Sequence, residues 1–157
     1  ELVIQEANKS LTAKLELDDF DLTLLSTFPS LTIQLKGTQI TGTGKFKGVK
    51  LASIETFSAE VDLWSVIQGS KVSIEAIHLT KPAFDVRILK DGTANYDIVK
   101  PDSLKKPEQV EAASPFELDL KNYTITDGTI LYTDYESDMN AEIVGLNHSG
   151  KGIPLVL

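Results

Sequence analysis

Apolar and polar residues alternate with a period of two along most of this chain. Leu11, Ala13, Leu15 and Leu17 alternate with Thr12, Lys14 and Glu16. Phe57, Ala59, Val61 and Leu63 alternate with Ser58, Glu60 and Asp62. The same pattern returns at Phe84, Val86 and Ile88, and at Phe116, Leu118 and Leu120. Successive side chains of a strand point to opposite faces, so each run predicts a strand with one apolar and one polar face. One-sided strands of this kind favour antiparallel pairing, because parallel strands are usually apolar on both faces.

Helical signal is short. Residues 2–9 suit a turn or two of helix. Asp21 before Leu22, Leu24 and Leu25, and Asp62 before Leu63, Val66 and Ile67, each predict a capped short helix. Asp91-Gly92 and Asp127-Gly128 read as turn dipeptides, the first joining residues 84–89 and 94–98 in a hairpin. Residues 100–115 carry three prolines and few apolar groups, which predicts an exposed, mobile loop within one sheet.

The pattern also repeats. Ile33, Leu35, Thr38, Ile40 and Thr41 match Val72, Ile74, Ile77, Leu79 and Thr80, and again Leu118, Leu120, Tyr123, Ile125 and Thr126. The alternation slips by one residue inside each copy. A slip moves side chains to the wrong face unless a bulge absorbs it, and recurrent bulges curve a sheet. The resulting expectation is one domain over residues 1–157. It is mostly β, a curved, bulged antiparallel sheet of roughly 40-residue repeats with short helices packed on one side.

Composition narrows the chemistry. The 157 residues carry a formal net charge of -8, which disfavours binding to phosphate backbones, so no nucleic-acid partner is expected. Cysteine is absent, which removes disulfides, thiolate catalysis and Cys-based zinc sites. No apolar run is long enough to span a bilayer. The apolar end Ile153-Pro154-Leu155-Val156-Leu157 reads as a last strand, or as one that continues in a larger parent protein.

No catalytic or metal-binding constellation emerges. His78 lies within a strand pattern, on the face opposite Ile77 and Leu79, and His148 sits in a predicted turn; neither has a partner at ligand spacing. The segment 134–140 begins like a calcium loop but has Met139 where the turn glycine belongs and Gly145 where the closing glutamate belongs, so it reads as a hairpin loop. Gly37 to Gly44 lacks a phosphate-loop lysine and reads as a bulged turn. No pair of acids stands out for glycoside chemistry and no nucleophile elbow occurs, so the chain is not expected to be an enzyme. No cofactor is expected. Asn-x-Ser/Thr triplets at Asn8, Asn122 and Asn147 are glycan acceptors only in a secreted eukaryotic protein, and a bacterial reading is preferred.

Several phrases occur in a telling order: Phe28-Pro29, Leu63-Trp64-Ser65, Leu79-Thr80-Lys81-Pro82, then Asp91-Gly92-Thr93-Ala94-Asn95. Ile125-Thr126-Asp127-Gly128-Thr129-Ile130 and Val144-Gly145-Leu146 follow as a further repeat. Over residues 10–150 the chain resembles the amino-terminal periplasmic region of AsmA-like proteins, particularly the Bacteroidetes type. The resemblance implies a parent anchored in the bacterial inner membrane by a helix upstream of Glu1. It also implies a β-groove in the periplasm that carries phospholipid or another envelope lipid in outer-membrane assembly.

The residues expected to line such a groove are Ile33, Leu35, Phe57, Val61, Val72, Ile74, Phe84, Val86, Leu118 and Leu120. Two alternatives remain open at this point. Short helices led by Leu24, Leu25, Trp64 and Ile67 could close the apolar face into an ordinary core. The chain could instead be a secreted or surface β-domain that binds protein or carbohydrate.

Overall fold

The structure is a computed structural model that describes residues 2–24, 28–68, 71–100, 117–152 and 155–156. The helix α1 (Leu2–Ser10) precedes β1 (Ala13–Glu16), β2 (Asp19–Thr23), β3 (Ser30–Gly42) and β4 (Lys50–Asp62). Then come α2 (Leu63–Gln68), β5 (Lys71–Ile88), β6 (Glu117–Asp134), β7 (Met139–Lys151) and β8 (Leu155–Val156). All eight strands belong to one open sheet in the order β1-β3-β4-β5-β6-β7, with β2 also on β3 and β8 also on β6.

The register simplifies this list. β1 pairs Leu15 with Ile40, and β2 pairs Phe20 with Leu35, so the two strands are one course along the outer edge of β3, interrupted near residue 17. At the far edge, β7 pairs Lys151 with Asn122 and β8 pairs Leu155 with Leu118, again one course along β6. The sheet is thus six long courses, each with an apolar and a polar side.

One pairing differs from expectation. β5 and β6 run parallel, from Lys71↔Glu117 to Ile88↔Asp134, while the other pairs are antiparallel. Parallel neighbours need a long crossover, and residues 89–116 supply it. The loop expected over residues 100–115 falls within this crossover, and its residues 101–115 lie outside the described residues. Alternation alone could not reveal the direction, because a sheet with one wet face shows period two whether its strands run parallel or antiparallel.

The repeat acquires a geometric meaning here. Val72, Ile74, Ile77, Leu79 and Thr80 pair residue for residue with Leu118, Leu120, Tyr123, Ile125 and Thr126. The first copy is displaced: Ile33 is level with Ala59 and Ile77, not with Val72. The slips therefore fall at two levels. In β5 and β6 the first slip lies at Glu75 and Lys121, whose side chains meet at 2.5 Å. Near that level the β4–β5 register shifts between Glu60 and Val61. A second line runs through Gly37, Lys81 and Asp127, all with positive φ (62°, 46° and 55°). Such values are uncommon outside glycine, and here they switch the alternation so that Leu35 and Thr38, or Leu79 and Pro82, share a face. Asp127-Gly128 is accordingly part of this line inside β6, not a turn.

One end of the sheet is closed by two turns. The loop after β3 contains the 3-10 turn Gly44–Phe46, with Phe46 buried. Residues 94–100 extend the edge of β5 beyond the end of β4 and then reach residues 10–12, just ahead of β1, through bridges Ile88↔Ala94 and Leu11↔Val99. The expected hairpin over 84–98 is therefore present only as its turn and first pairs. Asn95, 3% exposed, fixes this segment: its Oδ1 accepts from Arg87 N–H (2.9 Å) and its Nδ2 donates to Asp85 C=O (2.6 Å). Lys45 and Asp91 join the two turns at 2.5 Å.

That Lys45 contact, with hydrogen bonds from Thr93, holds the Asp91 carboxyl well below its ordinary value of 3.8, and bonds from Ser137 and Glu136 lower Asp134. A depressed folded pKa gives stabilisation that is present above the unfolded value and lost as pH falls through the folded one. Carboxyl NMR titration is expected to place both midpoints below 3.8; a midpoint at or above that value would contradict the geometry.

Two local expectations change. Asp21 lies in β2, paired with Gln34, so no helix starts there. The second Asp behaves as expected: Asp62 Oδ1 accepts from Ser65 N–H at 2.7 Å and starts α2. Thr32 Oγ1 is buried without a partner among the described residues. Thr32→Val should stabilise the sheet by about 1 kcal/mol in urea unfolding, because an unsatisfied buried hydroxyl is lost without breaking a bond.

Candidate functional site

Pairing register assigns every strand residue to a face. Leu31, Val61, Ile74 and Leu120 form one row across the sheet. Leu22, Ile33, Ala59, Ile77 and Tyr123 form the next, and Phe20, Leu35, Phe57, Leu79 and Ile125 the third. Beyond the positive-φ line come Thr38, Ile54 and Pro82, then Leu15, Ile40, Ala52, Phe84, Ile130 and Ile143. Most members are hydrocarbon; on β7 the third row continues to His148. The opposite face carries Gln34, Ser58, His78 and Thr124 in one row, with ion pairs Lys36–Asp19, Lys81–Glu55 and Lys121–Glu75.

The apolar face has no second sheet against it among the described residues: the described strands all belong to one sheet, and their main contacts are with paired neighbours and the two helices. Ala52, Ala59, Val61 and Pro82 are buried, whereas Ile33, Leu35, Phe57, Ile74, Ile77, Leu79, Phe84 and Ile125 are only half-buried. Large aliphatic side chains left partly in water along whole rows are a cost that soluble domains normally remove by adding a layer. Helix α1 covers the first strands only. Ile4 and Ala7 face Leu15, Leu17, Phe20, Leu35 and Thr38 across a cavity of about 280 Å³. Helix α2 sits at the end of β4 with Trp64 53% and Ile67 63% exposed, so these residues do not close a core. Leu25 lies outside the described residues.

The structure places the ten expected groove residues as follows. Ile33 and Leu35 lie on β3, Phe57 and Val61 on β4, Val72, Ile74, Phe84 and Val86 on β5, and Leu118 and Leu120 on β6. Pairing aligns Val61 with Ile74 and Leu120, Val72 with Leu118, and Leu35 with Phe57. The face also takes in Ile77, Leu79, Ile125 and Ile130, which the sequence marked only as repeat positions. It takes in Leu15 and Phe20 too. The expected helix at Asp21 hid Phe20, which lies on β2 and pairs with Leu35.

His78 is exposed on the polar face, as its neighbours implied. His148 is not in a turn: it pairs with Ile125 on β7 and stacks on Tyr123 at 5.5 Å between ring centroids. Residues 135–138 form the β6–β7 turn, where Asp134 accepts bonds from Glu136 N–H and the Ser137 N–H and hydroxyl. No cluster of three metal-ligating side chains occurs among the described residues, and no described helix is long and apolar enough to cross a membrane.

No curated protein and no solved structure matches the chain. One family model does, over residues 1–153, and its description is the AsmA family. With that model spanning nearly the whole sequence, the chain belongs to the AsmA family.

Proposed function

We propose that this chain is a non-catalytic segment of an envelope protein that binds or conducts lipid along its apolar sheet face. Family membership points to a function related to lipid transport in the envelope. The finer reading places the segment in the periplasm, anchored in the inner membrane by an upstream helix, and serving outer-membrane assembly or maintenance. The observation that carries it is the set of aliphatic rows across β3 to β6 left half-buried, with no covering layer among the described residues. An acyl chain laid along those rows removes apolar surface from water, at about 0.8 kcal/mol per buried methylene. Affinity then accumulates with length and needs no reactive group.

Site-specific photocrosslinking tests this. A benzophenone amino acid at Phe57 or Ile125, with the protein in its own membrane, is expected to capture phospholipid. The same group at Ser58 or Thr124, on the polar face, is expected to capture none. Equal capture from both faces, or none from either, rejects the proposal. Specific capture of a protein or glycan by the apolar positions favours the reading as a surface binding domain.

A further inference from the structure

We propose that the space between α1 and the first three strands is a separate site for a single fatty-acyl chain, with α1 as its roof. The proposal rests on the lipid-binding reading above and assigns it a resident ligand at one edge of the sheet. Ile4 and Ala7 lie above a cavity of about 280 Å³, with Leu15, Leu17, Phe20 and Leu35 around it. The space is open on one side, so an acyl tail that fills it takes its apolar walls out of water, at about 25 cal/mol per Å².

The way α1 is held explains why the gap does not collapse. Asn8 clamps it to β1 in both directions: its Nδ2 donates to Leu15 C=O (2.9 Å), and its Oδ1 accepts from Leu15 N–H (2.7 Å). Lys100 N–H donates to Ser10 C=O (3.0 Å), and Lys100 Nζ to Lys9 C=O (2.6 Å). All of these anchors lie at residues 8–10. The helix is therefore fixed by polar bonds at one end, while its apolar side chains Ile4 and Ala7 stand over open space.

The lining also selects the occupant. Among the described residues no charged side chain lines the cavity, so a carboxylate or phosphate finds no counter-ion among them and is better left at the mouth. A peptide would bring backbone N–H and C=O groups, and Thr38, the one polar lining residue among those described, could satisfy few of them. A hydrocarbon tail brings none. Phe20, one of the walls, is 58% exposed, so the tail can enter beside it.

The test uses palmitic acid carrying an alkyl diazirine near its methyl end, incubated with the full chain, irradiated and mapped by peptide mass spectrometry. Adducts are expected on α1 and on residues 15–20. Ala7→Trp fills the cavity and should cut these adducts at least tenfold while adducts on β5 and β6 persist. Adducts confined to β5 and β6 in the unsubstituted chain would overturn this proposal and leave the wider one standing. No adducts anywhere would overturn both. Hydrogen exchange on the unsubstituted chain gives a readout independent of the variant. Amide protection in α1 should rise when palmitic acid is added, and unchanged protection would overturn the roof assignment.

Discussion

Leu79→Glu is expected to lower phospholipid capture from a benzophenone at Phe57 by at least tenfold. Leu79 lies between Phe57 and Ile125 in the third apolar row and is half-buried. In the empty protein a glutamate there can reach water, so folding should change by only about 1 kcal/mol. With an acyl chain over the row, the carboxylate must be desolvated or protonated. Either route costs several kcal/mol, which is more than a factor of ten in occupancy. His78→Glu is the matched control. It changes the adjacent, exposed residue on the polar face and should leave capture unchanged. Capture that survives Leu79→Glu undiminished would show that lipid does not lie along this row.

The largest effect on stability is expected from Asn95. Its side chain does the work of a strand backbone where β4 has ended and β5 continues, pairing Arg87 N–H and Asp85 C=O. Asn95→Ala leaves both partly buried groups without those partners, at up to about 1–3 kcal/mol each before relaxation. A loss of about 2–4 kcal/mol is expected in urea unfolding, with faster amide exchange at Arg87. Asn95→Asp should be at least as damaging, because it sets a carboxylate oxygen against the Asp85 carbonyl in a buried position. A loss under about 0.5 kcal/mol for Asn95→Ala would mean that this segment does not hold the end of the sheet closed.

Strand existence was legible because alternation is a local property. Leu11 to Leu17, Phe57 to Leu63 and Phe84 to Ile88 each showed their two faces over a few residues, and α2 was announced by Asp62. The errors arose where one local signal had two physical outcomes. Asp21 before leucines looks like a helix cap, but Asp19–Thr23 pairs with β3 because residue 20 had to complete an apolar row with Leu35. Asp127-Gly128 has turn chemistry, yet the same tolerance of positive φ serves a mid-strand switch of faces. The groove candidates were chosen by alternation, and the face proved wider because Ile77, Leu79, Ile125 and Ile130 belong to rows visible only once strands are aligned.

By itself the sequence determined that this protein would be β-rich and one-sided. Those properties follow from residue type and period along a single strand. Tertiary structure decided three further things: that β5 and β6 run parallel, that the apolar rows line up across them, and that α1 stands off the first strands over a cavity. Each depends on which distant segments become neighbours, and period along one strand carries no information about the partner beside it.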